Sequence, residues 1–282
     1  MSIEQAIKKY SSIEIDLLLS HILGKSKEFL FLHPEYELSN NQVRKLSSFV
    51  KRRQKGEPMA YILGYKDFCG LRFKVNRSVL IPRPETEELV RKIMEHETWS
   101  IKHVRPIRIL DVGTGSGCIA ISLAKLSQSI IHNSRFIIHA SDISKKALAV
   151  ARQNARAHGV EIKFIHSDIL QNVGISFDII VANLPYGWKA WQNNTSAETV
   201  GLKFEPKEAL FTKENGLRHI RRLIEQISKL PSKPIAILLE YDPRQKNPLA
   251  KTIKEHLPSF QIKFYTDFNG LWRYAEIRSF SI

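Results

Sequence analysis

Ile107-Arg108-Ile109-Leu110-Asp111-Val112-Gly113-Thr114-Gly115-Ser116-Gly117 decides the fold of this chain. Ile107 to Val112 is an apolar run, three alternating glycines follow, and Cys118 to Leu126 carries apolar residues at helical spacing. The stretch therefore reads as a strand, a tight turn and the start of a helix. Glycines at 113, 115 and 117 let the main chain turn sharply and approach a ligand without a Cβ in the way, and the helix that follows offers unpaired N–H groups at its N-terminus. The dinucleotide fingerprint would need glycine at 118, where Cys118 stands, and no lysine follows, which excludes a phosphate-binding P-loop.

Working outward, the next expected strand, Arg135 to Ala140, ends in Ser141-Asp142, with a helix beginning near Ser144. A carboxylate at the tip of the second strand of a βαβ unit accepts ribose hydroxyls, although an isolated aspartate at such a place also serves as a helix N-cap. A third strand, Glu161 to His166, ends in Ser167-Asp168-Ile169, which puts Asp168 on the same edge, in reach of the exocyclic amine of an adenine. Three strands thus end in a glycine turn or an acid on one rim, where open α/β sheets bind ligands. An adenosine-bearing cofactor fits that rim.

The fourth strand, Phe177 to Ala182, delivers Asn183-Leu184-Pro185-Tyr186 to it. The Asn183 side-chain oxygen accepts one hydrogen of an NH₂ group and the Leu184 carbonyl the other. Pro185 holds Leu184 extended, so that carbonyl has a fixed direction, and Tyr186 supplies a flat wall. The arrangement suits an amide or an aryl amine, whose lone pair is delocalised. Standing alone, Asn-x-Pro is an ordinary turn; the rim around it points to a site.

These residues resemble the class I S-adenosylmethionine-dependent methyltransferases, and more closely the protein-(glutamine-N5) methyltransferases that modify peptide chain release factors. The closer resemblance rests on Arg52-Arg53-Gln54-Lys55-Gly56-Glu57-Pro58-Met59-Ala60-Tyr61-Ile62-Leu63-Gly64, on Leu80-Ile81-Pro82-Arg83-Pro84-Glu85-Thr86-Glu87, and on Phe204-Glu205-Pro206-Lys207-Glu208-Ala209-Leu210. They span most of the chain in the family's order. The resemblance implies an α/β fold: a Rossmann-like, seven-stranded methyltransferase domain over 83–282 with its last strand inserted antiparallel, preceded by a small all-helical domain over 1–63 that recognises the release factor and a β-hairpin linker over 64–82. It implies a monomer that methylates the glutamine of a Gly-Gly-Gln motif. S-adenosylmethionine is expected on Gly113, Thr114, Gly115, Ser116, Gly117, Asp142, Asp168, Ile169 and Asn183. Asn183, Leu184, Pro185 and Tyr186 are expected to hold the substrate, with Asn183, Pro185 and Tyr186 at the reacting centre.

One residue departs from the pattern. The family's usual tetrapeptide is Asn-Pro-Pro-Tyr, whereas Leu184 replaces the first proline here. Asn-Leu-Pro-Tyr is the form in ribosomal RNA adenine dimethyltransferases, so methylation of adenine N6 in RNA or DNA is the second reading.

Composition bounds these readings. The chain has 282 residues, 43% of them hydrophobic, enough for one sizeable α/β core and a smaller domain. Cys69 and Cys118 are the only cysteines, so neither a disulfide framework nor a metal cluster is indicated. Glu4, Glu14 and Asp16 interrupt the N-terminal apolar residues, unlike a signal peptide, and no apolar run reaches membrane-spanning length. A cytoplasmic location is expected. The net charge of +15, gathered at Arg44 to Lys55 and Lys102 to Arg108, favours electrostatic contact with nucleic acid or an acidic surface. A Lys-, Ile- and Asn-rich composition would produce the same charge without a binding role.

Residues 1–63 read as helices, with Ile13, Leu17, Leu18 and Ile22 at helical spacing and Asn40 or Asn41 capping a helix that runs to Lys55. Leu71, Phe73 and Val75 alternate, as in a hairpin. Trp188 and Trp191, just past the tetrapeptide, either pack beneath the loop or face the substrate, and packing is the expectation. The Phe204-Glu205-Pro206 stretch either closes over the substrate or is a structured loop.

Overall fold

A computed structural model describes residues 1–10, 14–95, 106–130, 136–188 and 199–279. The described chain divides into two units, one of residues 1–65 with 200–204 and one of residues 66–199 with 205–282.

The first unit carries five helices in sequence: α1 (Ile3–Tyr10), α2 (Ile15–Leu23), α3 (Lys27–Leu32), α4 (Asn40–Gln54) and α5 (Met59–Leu63). Ile3, Leu18, Leu19, Leu46 and Ile62 meet in its core. Each such side chain contributes about 1.5–3 kcal/mol on burial. Leu17 is left partly exposed, and Ile13 and Trp191 lie outside the described residues. The cap of α4 is Ser39, one residue before the expected Asn40. Its hydroxyl accepts from the Gln42 N–H, and the Gln42 side chain accepts in return from the Ser39 N–H at 2.8 Å. That reciprocal box satisfies two end donors, where a lone asparagine would satisfy one. The Arg-Arg-x-x-x-Glu-Pro stretch is also internal. Arg52 grips buried Glu57 through two bonds of 2.9 Å and reaches the Tyr61 carbonyl, while Arg53 pairs with Glu14. Two of the cations expected to form a binding patch are therefore engaged by carboxylates of the same unit. Most of the second basic stretch, Lys102 onward, falls outside the described residues.

The second unit opens with a hairpin, β1 (Tyr65–Phe68) and β2 (Leu71–Lys74). Its two turn residues, Cys69 and Gly70, have φ of 48° and 71°, the positive pair that matches the twist of a two-residue hairpin. A 3₁₀ turn (Pro84–Thr86) leads into α6 (Glu87–Glu95), and then β3 (Ile107–Val112), α7 (Cys118–Ile130), β4 (Phe136–Asp142), α8 (Lys145–His158), β5 (Lys163–His166) and β6 (Ile179–Ala182) alternate. Helix α9 (Thr199–Leu202) falls almost wholly in the first unit; in the second, α10 (Lys207–Leu210) precedes α11 (Arg218–Ser228), β7 (Ala236–Glu240), α12 (Lys246–His256), β8 (Phe260–Thr266) and β9 (Trp272–Ser279).

Seven strands form one sheet in the order β5-β4-β3-β6-β7-β9-β8, parallel except for β9, which runs antiparallel to both neighbours. The expected seven-stranded Rossmann-like sheet is therefore present. Both faces are covered, which explains why β3 carries apolar residues on both of its faces. Ile107 and Ile109 point into a core with α6 and α7, whereas Leu110 and Val112 point into another with α11 and α12. On α11 the buried residues are Ile220, Leu223, Ile224 and Ile227, one stripe at helical spacing. Strand order reverses between β3 and β6, and such a switch point leaves a crevice outside the carboxyl ends of the strands. Among the described residues no helix is long and apolar enough to cross a membrane.

Candidate active site

A cavity of about 360 Å³ occupies that crevice. It is lined by the glycine turn after β3, by Asp142 to Ser144 after β4, by Ser167 to Ile169 after β5 and by Asn183 to Pro185 after β6, together with Arg83, Thr86, Pro206, Glu208 and His219.

The glycine turn is dictated by its surroundings. Gly113, Gly115 and Gly117 have φ of 75°, 55° and 83°, a region costly for any side chain with a Cβ. A Cβ on Gly113 would lie 2.9 Å from Leu184 Cδ2, and one on Gly117 2.8 Å from Ile121 Cδ1, whereas one on Gly115 would meet only open space. The N–H groups of Gly113 and Thr114 both donate to the Ser141 carbonyl at 2.9 Å, tying the turn to the end of β4. Beneath it Asp111 is fully buried. Its Oδ2 accepts from the Thr114 hydroxyl at 2.6 Å, and burial pushes its pKa up to about 7. Among the described residues, Asp111 Oδ1 and the Ser141 hydroxyl are buried without a hydrogen-bond partner.

Asp142 stands on the rim as expected. Its oxygens accept from the N–H groups of Gly115 (2.9 Å) and Ser144 (2.8 Å). The cap of α8 is Ser144, whose hydroxyl accepts from Ala147. A carboxylate has about four lone-pair sites, so the two backbone bonds leave capacity for a vicinal diol. Burial raises the Asp142 pKa, and its backbone donors oppose the rise.

Asp168 accepts a 2.7 Å bond from Arg222 on α11 through Oδ2, which leaves Oδ1 for a ligand. Ile169 next to it has φ of 55°. A β-branched residue there is strained, and such strain concentrates at ligand sites. His219 completes this end of the cavity, held neutral by burial and by nearby Arg222. The glycine turn, the diol-type acceptor and the Asp168–Ile169 end fit S-adenosylmethionine.

At the other end, Asn183 Nδ2 donates to the Thr86 hydroxyl at 2.9 Å, so its Oδ1 is turned elsewhere. Thr86 donates to Glu240 Oε2 at 2.8 Å, and the Tyr186 hydroxyl donates to Glu240 Oε1 at 2.9 Å. Burial raises the Glu240 pKa, against the two hydroxyl bonds and Arg273, and burial with the neighbouring Glu240 carries the Tyr186 phenol well above its ordinary value. Tyr186 stands behind the lining residues, with its carbonyl held by Gln245. The expected flat wall is instead a strut, because its hydroxyl is drawn to a buried carboxylate. Leu184 is buried against Gly113. Trp188 stacks under the Arg244 guanidinium at 4.5 Å. Glu205 is buried, accepting from the Ile81 N–H and pairing with Arg83, so that stretch is an anchored part of the wall.

Thr86, Glu240 and His219 escaped the sequence reading. Thr86 lay inside the quoted Ile-Pro-Arg-Pro-Glu-Thr stretch, and that stretch's specificity was the available signal.

Comparison with known proteins agrees with this geometry. Residues 4–64 match the PrmC N-terminal domain family model and residues 93–200 the methyltransferase small domain model. The release factor glutamine methyltransferase of Lactococcus lactis is 35% identical over 243 residues, covering 86% of this chain and 85% of the relative. That of Coxiella burnetii is 37% identical over 244 residues, covering 85% and 83%. Among solved structures, the hMettl16 catalytic domain in complex with an RNA hairpin superposes with a TM-score of 0.58 at 14% identity, covering 86% of this chain and 83% of that one, a likeness of fold. With both of its domains matched in order and relatives this similar over most of their length, the chain belongs to the release factor glutamine methyltransferase family.

Proposed function

We propose that this protein transfers a methyl group from S-adenosylmethionine to the side-chain amide nitrogen of the glutamine in the Gly-Gly-Gln motif of a peptide chain release factor. The observation that carries the reading is the Asn183 side chain at the cavity wall, its Nδ2 engaged by Thr86 and its Oδ1 left as an acceptor. When bound, S-adenosylmethionine supplies an electrophilic methyl group on a sulfonium. Asp142 holds the ribose diol, while Asp168 and Ile169 flank the adenine beside the glycine turn.

Asn183 Oδ1 and the Leu184 carbonyl take the two hydrogens of the substrate NH₂. With both hydrogens held, the nitrogen is aimed at the methyl carbon, and orientation of this kind accounts for several kcal/mol of barrier, on the order of 7–11 at best. No strong base is needed, because the nitrogen proton becomes acidic only once the methyl is in place. The helical unit recognises the release factor, a role supported by its match to the PrmC N-terminal domain. Arg52 and Arg53 are engaged internally, which leaves its other residues to make that contact. The protein acts as a monomer in the cytoplasm, where the thiols of Cys69 and Cys118 stay reduced. Adenine methylation is favoured by Leu184 and by the positive charge, but Leu184 packs beside Gly113 and Arg52 and Arg53 of the basic stretch are engaged internally.

Mass spectrometry of a full-length release factor incubated with this protein and S-adenosylmethionine tests the reading. A gain of one methyl on the Gly-Gly-Gln glutamine is expected. Label from the cofactor appearing in RNA or DNA, with the release factor unmodified, would overturn it.

A further inference from the structure

We infer that Thr86 and Glu240 are positioning residues that fix which way round the Asn183 amide stands, so that an oxygen and not an NH₂ group faces the substrate nitrogen. The inference rests on the amide-methylation reading above and adds to it the source of the acceptor geometry.

The argument is one of donors and acceptors. An asparagine amide has nearly the same shape in its two orientations, but one presents an acceptor and the other presents donors. Only the first can hold the hydrogens of a substrate NH₂. Glu240, at the end of β7, is the acceptor in both of its side-chain bonds. Its Oε1 takes the Tyr186 hydroxyl hydrogen and its Oε2 takes the Thr86 hydroxyl hydrogen. Thr86 has a single hydrogen, and Glu240 has claimed it. The lone pairs of Thr86 are then all that Asn183 meets, so Asn183 must turn its NH₂ toward Thr86, as the 2.9 Å bond records. Oδ1 is left on the cavity side by elimination.

The three side chains are well placed for this. Thr86 and Glu240 are 3% and 1% exposed, so no water competes for their hydrogen bonds. Asn183 and Tyr186, the first and last residues of the tetrapeptide, are both referred to one carboxylate. Burying a carboxylate is costly unless it is bonded, and here one oxygen is used on Tyr186 and the other on Thr86, the partner of Asn183.

Thr86→Val removes the hydroxyl and keeps the shape, Thr86→Ser keeps the hydroxyl, and Glu240→Gln places an NH₂ opposite one of the two hydroxyls. For each variant and the wild type, kcat and KM for full-length release factor are measured, with the cofactor Kd by calorimetry. The Asn183 side-chain NH₂ resonances are followed by NMR in protein bound to S-adenosylhomocysteine. Thr86→Val is expected to lower kcat by about ten- to a hundred-fold, the scale of a misoriented reacting group, and to strip hydrogen-exchange protection from the Asn183 NH₂. The cofactor Kd stays within about two-fold, and Thr86→Ser restores kcat. Combining Thr86→Val with Glu240→Gln costs little beyond either change alone, because both act through the same amide.

A Thr86→Val kcat within about two-fold of wild type, a loss that Thr86→Ser does not repair, or an equal loss of cofactor affinity would each overturn the inference. The NMR readout needs no substrate. If wild-type protein leaves the release factor unmethylated while Thr86→Val still releases the Asn183 NH₂, the substrate reading has failed and the orientation device stands.

Discussion

Leu184 Cδ2 lies 2.9 Å from the point where a Cβ on Gly113 would sit. The tip of β3 and the tip of β6 are therefore in contact at the residue by which this chain departs from the family's usual tetrapeptide. Gly113→Ala combines that clash with a φ of 75°, and a left-handed backbone costs a residue with a Cβ about 1–2 kcal/mol. Cofactor affinity is expected to fall by roughly ten-fold or more on that backbone cost plus the clash. Adding Leu184→Ala removes the clash alone, so the double variant should recover part of the loss. Calorimetry with S-adenosylmethionine decides it; a double variant no better than Gly113→Ala would mean that Leu184 is not the obstacle.

Asp142 serves the backbone as well as the rim, since it accepts from both Gly115 and Ser144. Asp142→Ala leaves two N–H groups without their acceptor, at about 1–3 kcal/mol each where they are cut off from water. It should lower the melting temperature of the cofactor-free protein and weaken S-adenosylmethionine binding together. Loss of binding with an unchanged melting temperature would show that water replaces the carboxylate at the backbone.

The cofactor side of this site was legible from sequence because each element carries a local mark: a glycine turn, or an acid two residues past the end of an expected strand. Asp142 and Asp168 could be placed on one rim before any coordinates, since parallel strands of similar length end together. The substrate side was legible only in Asn183 to Tyr186. Thr86 and Glu240 lie 97 residues before Asn183 and 54 after Tyr186, and nothing in the sequence ties either of them to the tetrapeptide. Glu240 ends the apolar strand Ala236–Glu240 and looks like an ordinary solvent-facing tip; its burial comes from β9, whose Tyr274 pairs with it in an antiparallel register that no spacing rule reveals. Ser39 shows a different failure. Its capping box with Gln42 was readable, but the adjacent asparagines, good caps in isolation, drew the helix start one residue too late.

Asp111 makes stability depend on pH in a defined direction. Burial lifts its pKa from the ordinary 3.8 to about 7, so the folded state binds this proton more tightly than the unfolded chain does. Its contribution is present in full below the unfolded value and is lost as pH rises toward about 7. Asp111→Asn removes the titration and keeps an oxygen for the Thr114 hydroxyl. The melting temperature of the cofactor-free variant, relative to wild type, should therefore rise between about pH 4 and pH 8. A difference that stays flat across that range would mean that Asp111 ionises normally.

Glu240 gives the reaction an acid limb. Its raised pKa comes first from burial, and the groups around it include Thr86, Tyr186, Arg273, Glu85 and Tyr274. Ionised, it takes both hydroxyl hydrogens and fixes Asn183 with its oxygen toward the cavity. Protonated on Oε2, it would donate to Thr86, which would turn its own hydrogen to Asn183 and favour the inverted amide. The sign follows: kcat should fall as pH drops through the Glu240 pKa, at a pH above that of an ordinary glutamate. In Glu240→Gln the profile should flatten at a low rate, since no proton remains to be gained. Profiles of kcat between about pH 5 and pH 8, with both substrates saturating, report the ionisations of the assembled complex. A wild-type acid limb that persists unchanged in Glu240→Gln would place the titrating group elsewhere.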